Sequence, residues 1–370
     1  MDIKDLVIYR NLEHQELFRD IAHLMGYAQG GQEPDGASCG GRLTEMAVKY
    51  GFEGNLWHCF LAFCLANNEN AYTTTCEITG PAGGSLDELA REDCRIFKVL
   101  FDYDIRNLEP SGLWALMENY KPARKDSRVF NRRVRNRIVN LAVQLEESAD
   151  AGQFQDHVVE FYREFGVGKF GLNKAFRIIE KEEGQPVIID PIINVEHINF
   201  KDIVGYELQK QKLIENTEAF VDGKEANNVL LFGDAGTGKS SSVKAVLNEY
   251  YARGLRIIEV YKHQFKALSD VLEQIKDRNY KFIIYMDDLS FEDYELEYKY
   301  LKAILEGGLG KRPGNVLIYA TSNRRHLIRE KFSDKRELDD ELHNNDTVQE
   351  KLSLAARFGV TIYYLSLIHI

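Results

Sequence analysis

Proline is scarce in this sequence, with seven among 370 residues, which excludes long proline-rich linkers. No run of about 18 apolar residues occurs, which excludes a helical membrane span. The opening Met1-Asp2-Ile3-Lys4-Asp5 is charged and no apolar signal core follows it. A cytoplasmic location is therefore the expectation. Cysteine is limited to Cys39, Cys59, Cys64, Cys76 and Cys94. The number is odd and the spacing irregular, so no disulfide framework is expected. No Cys-x-x-Cys pair exists to support a structural zinc site. Positive charge is in deficit, 47 Lys and Arg against 58 Asp and Glu, a formal net charge of −11. That argues against wholesale polyanion binding and leaves room for a local basic patch.

Hydrophobic residues at 44% and charged residues at 28% are ordinary for a globular protein, and the length fits two or three domains. Residues 1–190 read as a mostly helical domain. Within it, Gly54–Ala66 places Leu56, Trp57, Phe60, Leu61, Phe63 and Cys64 on one broad helical face. Arg95–Phe101 and Arg137–Leu145 are further apolar-periodic pieces. Glu183-Gly-Gln-Pro186 and Asp190-Pro191 then interrupt the pattern and mark the boundary, between Lys181 and Asn199.

Residues 191–364 alternate strands with helices. The predicted strands are Val229–Phe232, Arg256–Tyr261, Phe282–Met286, Val316–Thr321 and Val360–Tyr364. The predicted helices are Lys239–Tyr251, Phe265–Arg278, Leu296–Leu305 and one opened by the capping box Asp346-x-x-Gln349 and ending near Phe358-Gly359. This order predicts an α/β fold with a five-stranded parallel sheet and helices on both faces.

Four motifs in this half carry chemistry. Gly233-Asp234-Ala235-Gly236-Thr237-Gly238-Lys239-Ser240 fits G-x-x-x-x-G-K-S between a predicted strand and a predicted helix, with Ser241 following. Glycines there let backbone N–H groups converge on phosphates, and the helix N-terminus adds its dipole. Lys239 is the cation for the β- and γ-phosphates and Ser240 a Mg²⁺ ligand. The strand Phe282–Met286 ends in Asp287 and Asp288. A strand tip delivers carboxylates beside a phosphate loop, so Asp287 is the second metal-site residue and Asp288 the group that orients or deprotonates water. Asp is one methylene shorter than the Glu that most such ATPases carry at the second position. Asn323, just past the next strand, is placed to hold the lytic water. Arg357, at the end of the last helix, either reaches a neighbouring subunit's γ-phosphate or neutralises its own helix terminus. Arg324 and Arg325 compete for the first role.

Together these look like the Walker A, Walker B, sensor-1 and arginine-finger elements of the AAA+ ATPases. Asn227–Ser241, Asp287-Asp-Leu-Ser-Phe-Glu292, Leu305-Glu-Gly-Gly-Leu309 and Asn315–Leu327 further resemble the bacterial domain of unknown function 815 family of ATP-binding proteins. The resemblance is strong over Asn199–Tyr364 and loose over the helical half. It implies ATP and Mg²⁺ as cofactors, treats the Asp-Asp pair as usual for the family, and puts Val204 and Gly205 where AAA+ proteins contact adenine. It also implies a small helical lid after the fifth strand. This sequence has Leu365-Ser-Leu-Ile-His-Ile370 there instead, and 365–370 is expected to be a non-native tail. Those residues equal the translation of CTG TCT CTT ATA CAC ATC, which resembles a transposase end sequence used in preparing sequencing libraries.

Other signals have plainer readings. Gly166-Val-Gly168-Lys-Phe-Gly171 fits G-x-G-x-x-G but follows a helix-like run, so it reads as a glycine-rich interdomain turn. Lys121, Arg124, Lys125, Arg128, Arg132, Arg133, Arg135 and Arg137 form a basic stretch with few aromatics, favouring a solvated helix face over nucleic-acid binding. His58, Cys59, Cys64 and Cys76 sit among large apolar residues and read as core. Tyr261-Lys-His-Gln-Phe265 runs straight into a helix and reads as a short connection, not a substrate-gripping loop.

The leading functional expectation is a Mg²⁺-dependent ATPase that forms a homo-oligomer and remodels an unknown protein partner, with no membrane involved. A low-turnover ATP-dependent switch and a DNA-associated loader using residues 121–137 are the alternatives.

Overall fold

The computed structural model describes residues 2–30, 33–122, 132–181, 185–291, 297–306, 313–323 and 354–366. The chain divides into two units, Met1–Asn173 and Lys174–Ile370.

The first unit is helical. Its helices are α1 (Gln15–Leu24), α2 (Gly36–Tyr50), α3 (Leu56–Asn67), α4 (Ala71–Thr79), α5 (Gly84–Phe101), α6 (Ser111–Glu118), α7 (Arg132–Glu146), α8 (Ala151–Phe165) and α9 (Gly168–Leu172). Asn55 starts α3 by accepting from the backbone N–H groups of Trp57 and His58. Every residue of α3 from Leu56 to Ala66 is buried, so this helix is apolar all round and not on one face as predicted. Asp93 on α5 is fully buried and accepts from the N–H groups of Val7, Ile8 and Tyr9 at 3.0, 2.7 and 2.9 Å. Those three donors make a buried carboxylate tolerable and clamp the N-terminal segment to the core.

The core reading holds for His58 and the cysteines, whereas the glycine motif is not an interdomain turn and Arg135 and Arg137 are packed, not solvated. His58 Nε2 lies 2.8 Å from Phe101 O, all five cysteines are free and buried, and burial pushes the Cys59 thiol up to about 12. Among the described residues no His, Cys, Asp and Glu cluster is arranged to hold a metal ion. The glycine motif lies inside the helical unit: Gly166 ends α8, and a Cβ on Gly168 would meet Glu69 Oε1 at 2.0 Å. Of the basic stretch, residues 123–131 lie outside the described residues. Arg135 donates to Gly51 O at 2.7 Å and pairs with Glu53 at 2.5 Å. Arg137 donates to Gly171 O at 3.3 Å and lies 4.2 Å over the Phe165 ring.

Among the described residues the second unit has seven strands: β1 (Ala175–Ile179), β2 (Ile188–Pro191), β3 (Val229–Gly233), β4 (Leu255–Glu259), β5 (Lys281–Met286), β6 (Val316–Ser322) and β7 (Val360–Tyr364). Their order is β2-β1-β4-β5-β6-β3-β7, with β2 antiparallel to β1 and every other pair parallel. The five predicted strands are all present. The count of five is corrected to seven because β1 and β2 extend the sheet past β4. Pro191, read from sequence as a break, pairs with Phe176 at the sheet edge, where a missing N–H is tolerated. For the same reason the units meet at 173/174 and not at 190/191.

The α-helices described in this unit are α10 (Glu207–Val221), α11 (Lys239–Tyr250), α12 (Leu268–Ile275) and α13 (Glu297–Glu306), and residues 324–353, with the Asp346 capping box, lie outside the described residues. Leu213 and Phe220 of α10 and Val243, Val246 and Leu247 of α11 pack on Val229, Leu231, Ile257, Ile283, Leu317 and Tyr319. The alternate strand residues Leu230, Ile258, Ile284 and Ile318 are buried too, as a sheet covered on both faces requires.

Gly233 ends β3 with φ 138°, and a Cβ there would lie 2.0 Å from Tyr364 O. Gly233→Ala must therefore push β3 and β7 apart. The expected cost is about 1–3 kcal/mol, read as a lowered thermal unfolding midpoint of the full chain.

Candidate functional site

Residues 234–238 form the loop between β3 and α11, at the C-terminal end of the sheet. Gly236 and Gly238 adopt φ 75° and 87°, a left-handed backbone open to glycine at no steric cost. Thr237 Oγ1 donates to Asp234 O at 2.8 Å and holds the loop. Helix α11 begins with no side-chain cap, so its first N–H groups are available to an anion. Lys239 is buried, with Nζ donating to Gly233 O at 2.9 Å and Asp234 O at 2.6 Å. Burial lowers its pKa, and the charges of Asp234, Asp288 and Asp287 only partly oppose this. An ammonium held by neutral carbonyls in a half-dry loop is suited to a phosphate.

Strands β5 and β6 pair with Met286 opposite Ala320, which brings their tips to the same place. Ser240 Oγ donates to Asp287 Oδ1 at 2.8 Å. Tyr285 OH and Thr321 Oγ1 donate to the same oxygen at 2.7 and 2.5 Å. Burial pushes the Asp287 carboxyl up, but the Thr321, Tyr285 and Ser240 hydroxyls outweigh it and hold the group below its ordinary range. Asp288 turns the chain with φ 49° and donates its N–H to Thr321 Oγ1 at 2.9 Å. Its Oδ1 accepts from Asn323 Nδ2 at 2.8 Å.

A cavity of about 360 Å³ is lined by residues 235–241 with Asp287, Asp288, Thr321 and Asn323. The predicted loop, both carboxylates and the polar residue after β6 thus face one space. Gly233 and Asp234 lie at the base of the loop, holding Lys239. Val204 and Gly205 are not among the lining residues; Val204 is exposed, and their neighbour Ile203 lies 3.6 Å from where a Gly238 Cβ would be. Arg357 is not brought to the cavity either. It precedes Val360, which pairs with Val229 at the far end of β3, four residues or about 13 Å from the loop. Arg324 and Arg325 lie outside the described residues. Of the expected tail, 367–370 are also outside, and Ser366 N donates to Asp234 Oδ2 at 2.9 Å. Sequence reasoning missed Tyr285 and Thr321. Each stands two residues before a predicted site residue, hence on the same strand face, and that spacing was the available signal.

The donor set fits Mg²⁺-nucleotide: a hydroxyl and a carboxylate supply hard oxygen ligands beside a loop of open N–H groups. Such a strand–loop–helix, with an acidic tip on β5 and strand β6 lying between β5 and the loop's strand β3, defines a P-loop nucleotide-binding protein of the AAA+ class. The family model described as "Protein of unknown function (DUF815)" matches residues 172–369, and the chain belongs to that family. Among curated proteins it is similar to proteasome-activating nucleotidase 1 of Haloferax volcanii, 25% identical over 190 residues, 43% of this chain and 46% of that protein. It is also similar to the replication factor C large subunit of Staphylothermus marinus, 35% identical over 81 residues, 22% of this chain and 18% of that protein. The chain spans less than half the length of these curated relatives. Among solved structures it is similar to DnaI, at 17% identity and TM-score 0.33, covering 53% of this chain and 96% of that one. Thermotoga maritima RuvB, the Holliday junction branch migration motor, gives 16% identity and TM-score 0.30, covering 46% of this chain and 48% of that one.

Proposed function

We propose that the protein is a Mg²⁺-dependent ATPase whose active sites are completed between copies of the chain and whose hydrolysis remodels a macromolecular partner. One observation carries the reading: Lys239, the Ser240–Asp287 pair and the Asp288–Asn323 pair converge on a single cavity. Lys239 binds the β- and γ-phosphates together with the loop N–H groups. Ser240 and Asp287 hold the metal ion, which when bound supplies positive charge against the phosphates. Asp288 orients the attacking water and takes its proton; Asn323 holds Asp288 in place. Water oxygen bonds to the γ-phosphorus as the bond to the bridging oxygen breaks, giving ADP and phosphate. Arg357, remote from its own cavity, serves a neighbour's site. The likeness to a proteasome-activating nucleotidase supports a protein partner. Val204 and Gly205, beside Ile203 above Gly238, take the adenine. No helix among the described residues is long and apolar enough to cross a membrane, and a cytoplasmic location is part of the proposal.

The switch is the second reading, favoured by one observation: the Asp288 carboxylate is short and already engaged by Asn323. ATP would then order an interface with little turnover. The loader lacks such support, since Arg135 and Arg137 serve the packing of the helical unit.

The test is ATP turnover per subunit against protein concentration. A rate that climbs and saturates is the expected result, because each site needs a second copy. A flat, near-zero rate with tight ATP binding overturns the ATPase in favour of the switch.

A further inference from the structure

Tyr285 has no task in the reaction just described, and its place is unusual for a strand residue. The ring is 6% exposed and belongs to the apolar layer under α11, beside Val243 and Val246. A tyrosine buried in that layer needs a partner for its hydroxyl. The period-two alternation of β5 puts Tyr285 and Asp287 on one face, and the hydroxyl reaches Asp287 Oδ1 at 2.7 Å. Thr321, from the neighbouring strand β6, reaches the same oxygen at 2.5 Å. Ser240, from α11, reaches it at 2.8 Å. Three hydroxyls from three elements converge on one carboxylate oxygen, while Oδ2 takes none of them. This leaves the carboxylate one orientation. Thr321 also accepts from Asp288 N, so the same hydroxyl sets the turn that carries the second carboxylate.

We propose that Tyr285 and Thr321 are positioning residues that hold Asp287 for the metal ion of the bound nucleotide. The inference rests on the Mg²⁺-ATP reading above. Ser240 is itself a metal-site residue, so its hydroxyl is shared. Those of Tyr285 and Thr321 are not, and they keep Asp287 oriented whether or not the metal is bound. Groups that orient a metal ligand in this way are worth about 10–100-fold in metal affinity.

The experiment is binding of a fluorescent ATP analogue by the full chain as Mg²⁺ is titrated, with a parallel series in EDTA. Tyr285→Phe and Thr321→Val are each expected to raise the Mg²⁺ needed for half-maximal binding about tenfold, and to leave binding in EDTA unchanged. Thr321→Ser, which keeps the hydroxyl, is expected to restore the wild-type value. The electron paramagnetic resonance signal of Mn²⁺ bound with nucleotide should broaden in Tyr285→Phe, which a purely packing role would not produce. If Tyr285→Phe does not fold, Thr321→Val and Thr321→Ser carry the same comparison. Unaltered Mg²⁺ dependence in a folded variant overturns the positioning role alone. A wild-type chain that binds no nucleotide at any Mg²⁺ concentration overturns the ATP reading, and the inference with it.

Discussion

Lys239→Ala is expected to weaken ATP binding about 100-fold, roughly 3 kcal/mol, the scale of charge-assisted hydrogen bonds to phosphate. Lys239 is the buried cation of the loop, and its Nζ is held by the carbonyls of Gly233 and Asp234. Those bonds keep the ammonium in place without neutralising it, so it remains a cation for a polyphosphate. Calorimetric titration with ATP and Mg²⁺ checks the value. The variant also removes the ammonium donor from the carbonyls of Gly233 and Asp234, so its thermal midpoint must be measured beside the affinity. A lowered midpoint with unchanged affinity would show that Lys239 serves the loop and not the ligand.

Asp288→Asn is expected to lower turnover by about 10²–10⁴-fold, the usual worth of a general base, while ATP stays bound. The amide is nearly isosteric and keeps an oxygen for Asn323 Nδ2, now 2.8 Å from Oδ1. What it removes is the charge that takes the proton from water. Single-turnover hydrolysis and nucleotide retained through gel filtration read the two effects separately. Trapped ATP with lost turnover supports the ATPase. A variant whose partner binding and nucleotide content both match the wild type, on a background of negligible wild-type turnover, supports the switch instead.

How much of this was legible in advance varies by residue. The spacing of Gly54–Ala66 predicts a helix with one broad apolar face, because periodicity within one segment cannot tell that neighbours cover every side. Pro191 misled in the other direction. Proline excludes a central strand, and only the sheet order shows that β2 is an edge. Tyr285 looked like one more apolar strand residue, since its hydroxyl matters only once Asp287 and Thr321 stand beside it. Arg357 could be named as a candidate, but its distance from the loop follows from the register of β7 on β3.

The phosphate loop was determined by the sequence alone, because residues 233–240 are contiguous and their glycines, lysine and serine act through local backbone geometry. The strand–helix alternation was determined in the same way, by short-range apolar periodicity. The rest needed the tertiary structure. Asn323 meets Asp288, and Thr321 meets Asp287, across separations of 35 and 34 residues. No local pattern specifies such contacts. They exist because parallel strands β5 and β6 lie side by side in register, and that adjacency is set by packing both sheet faces under helices.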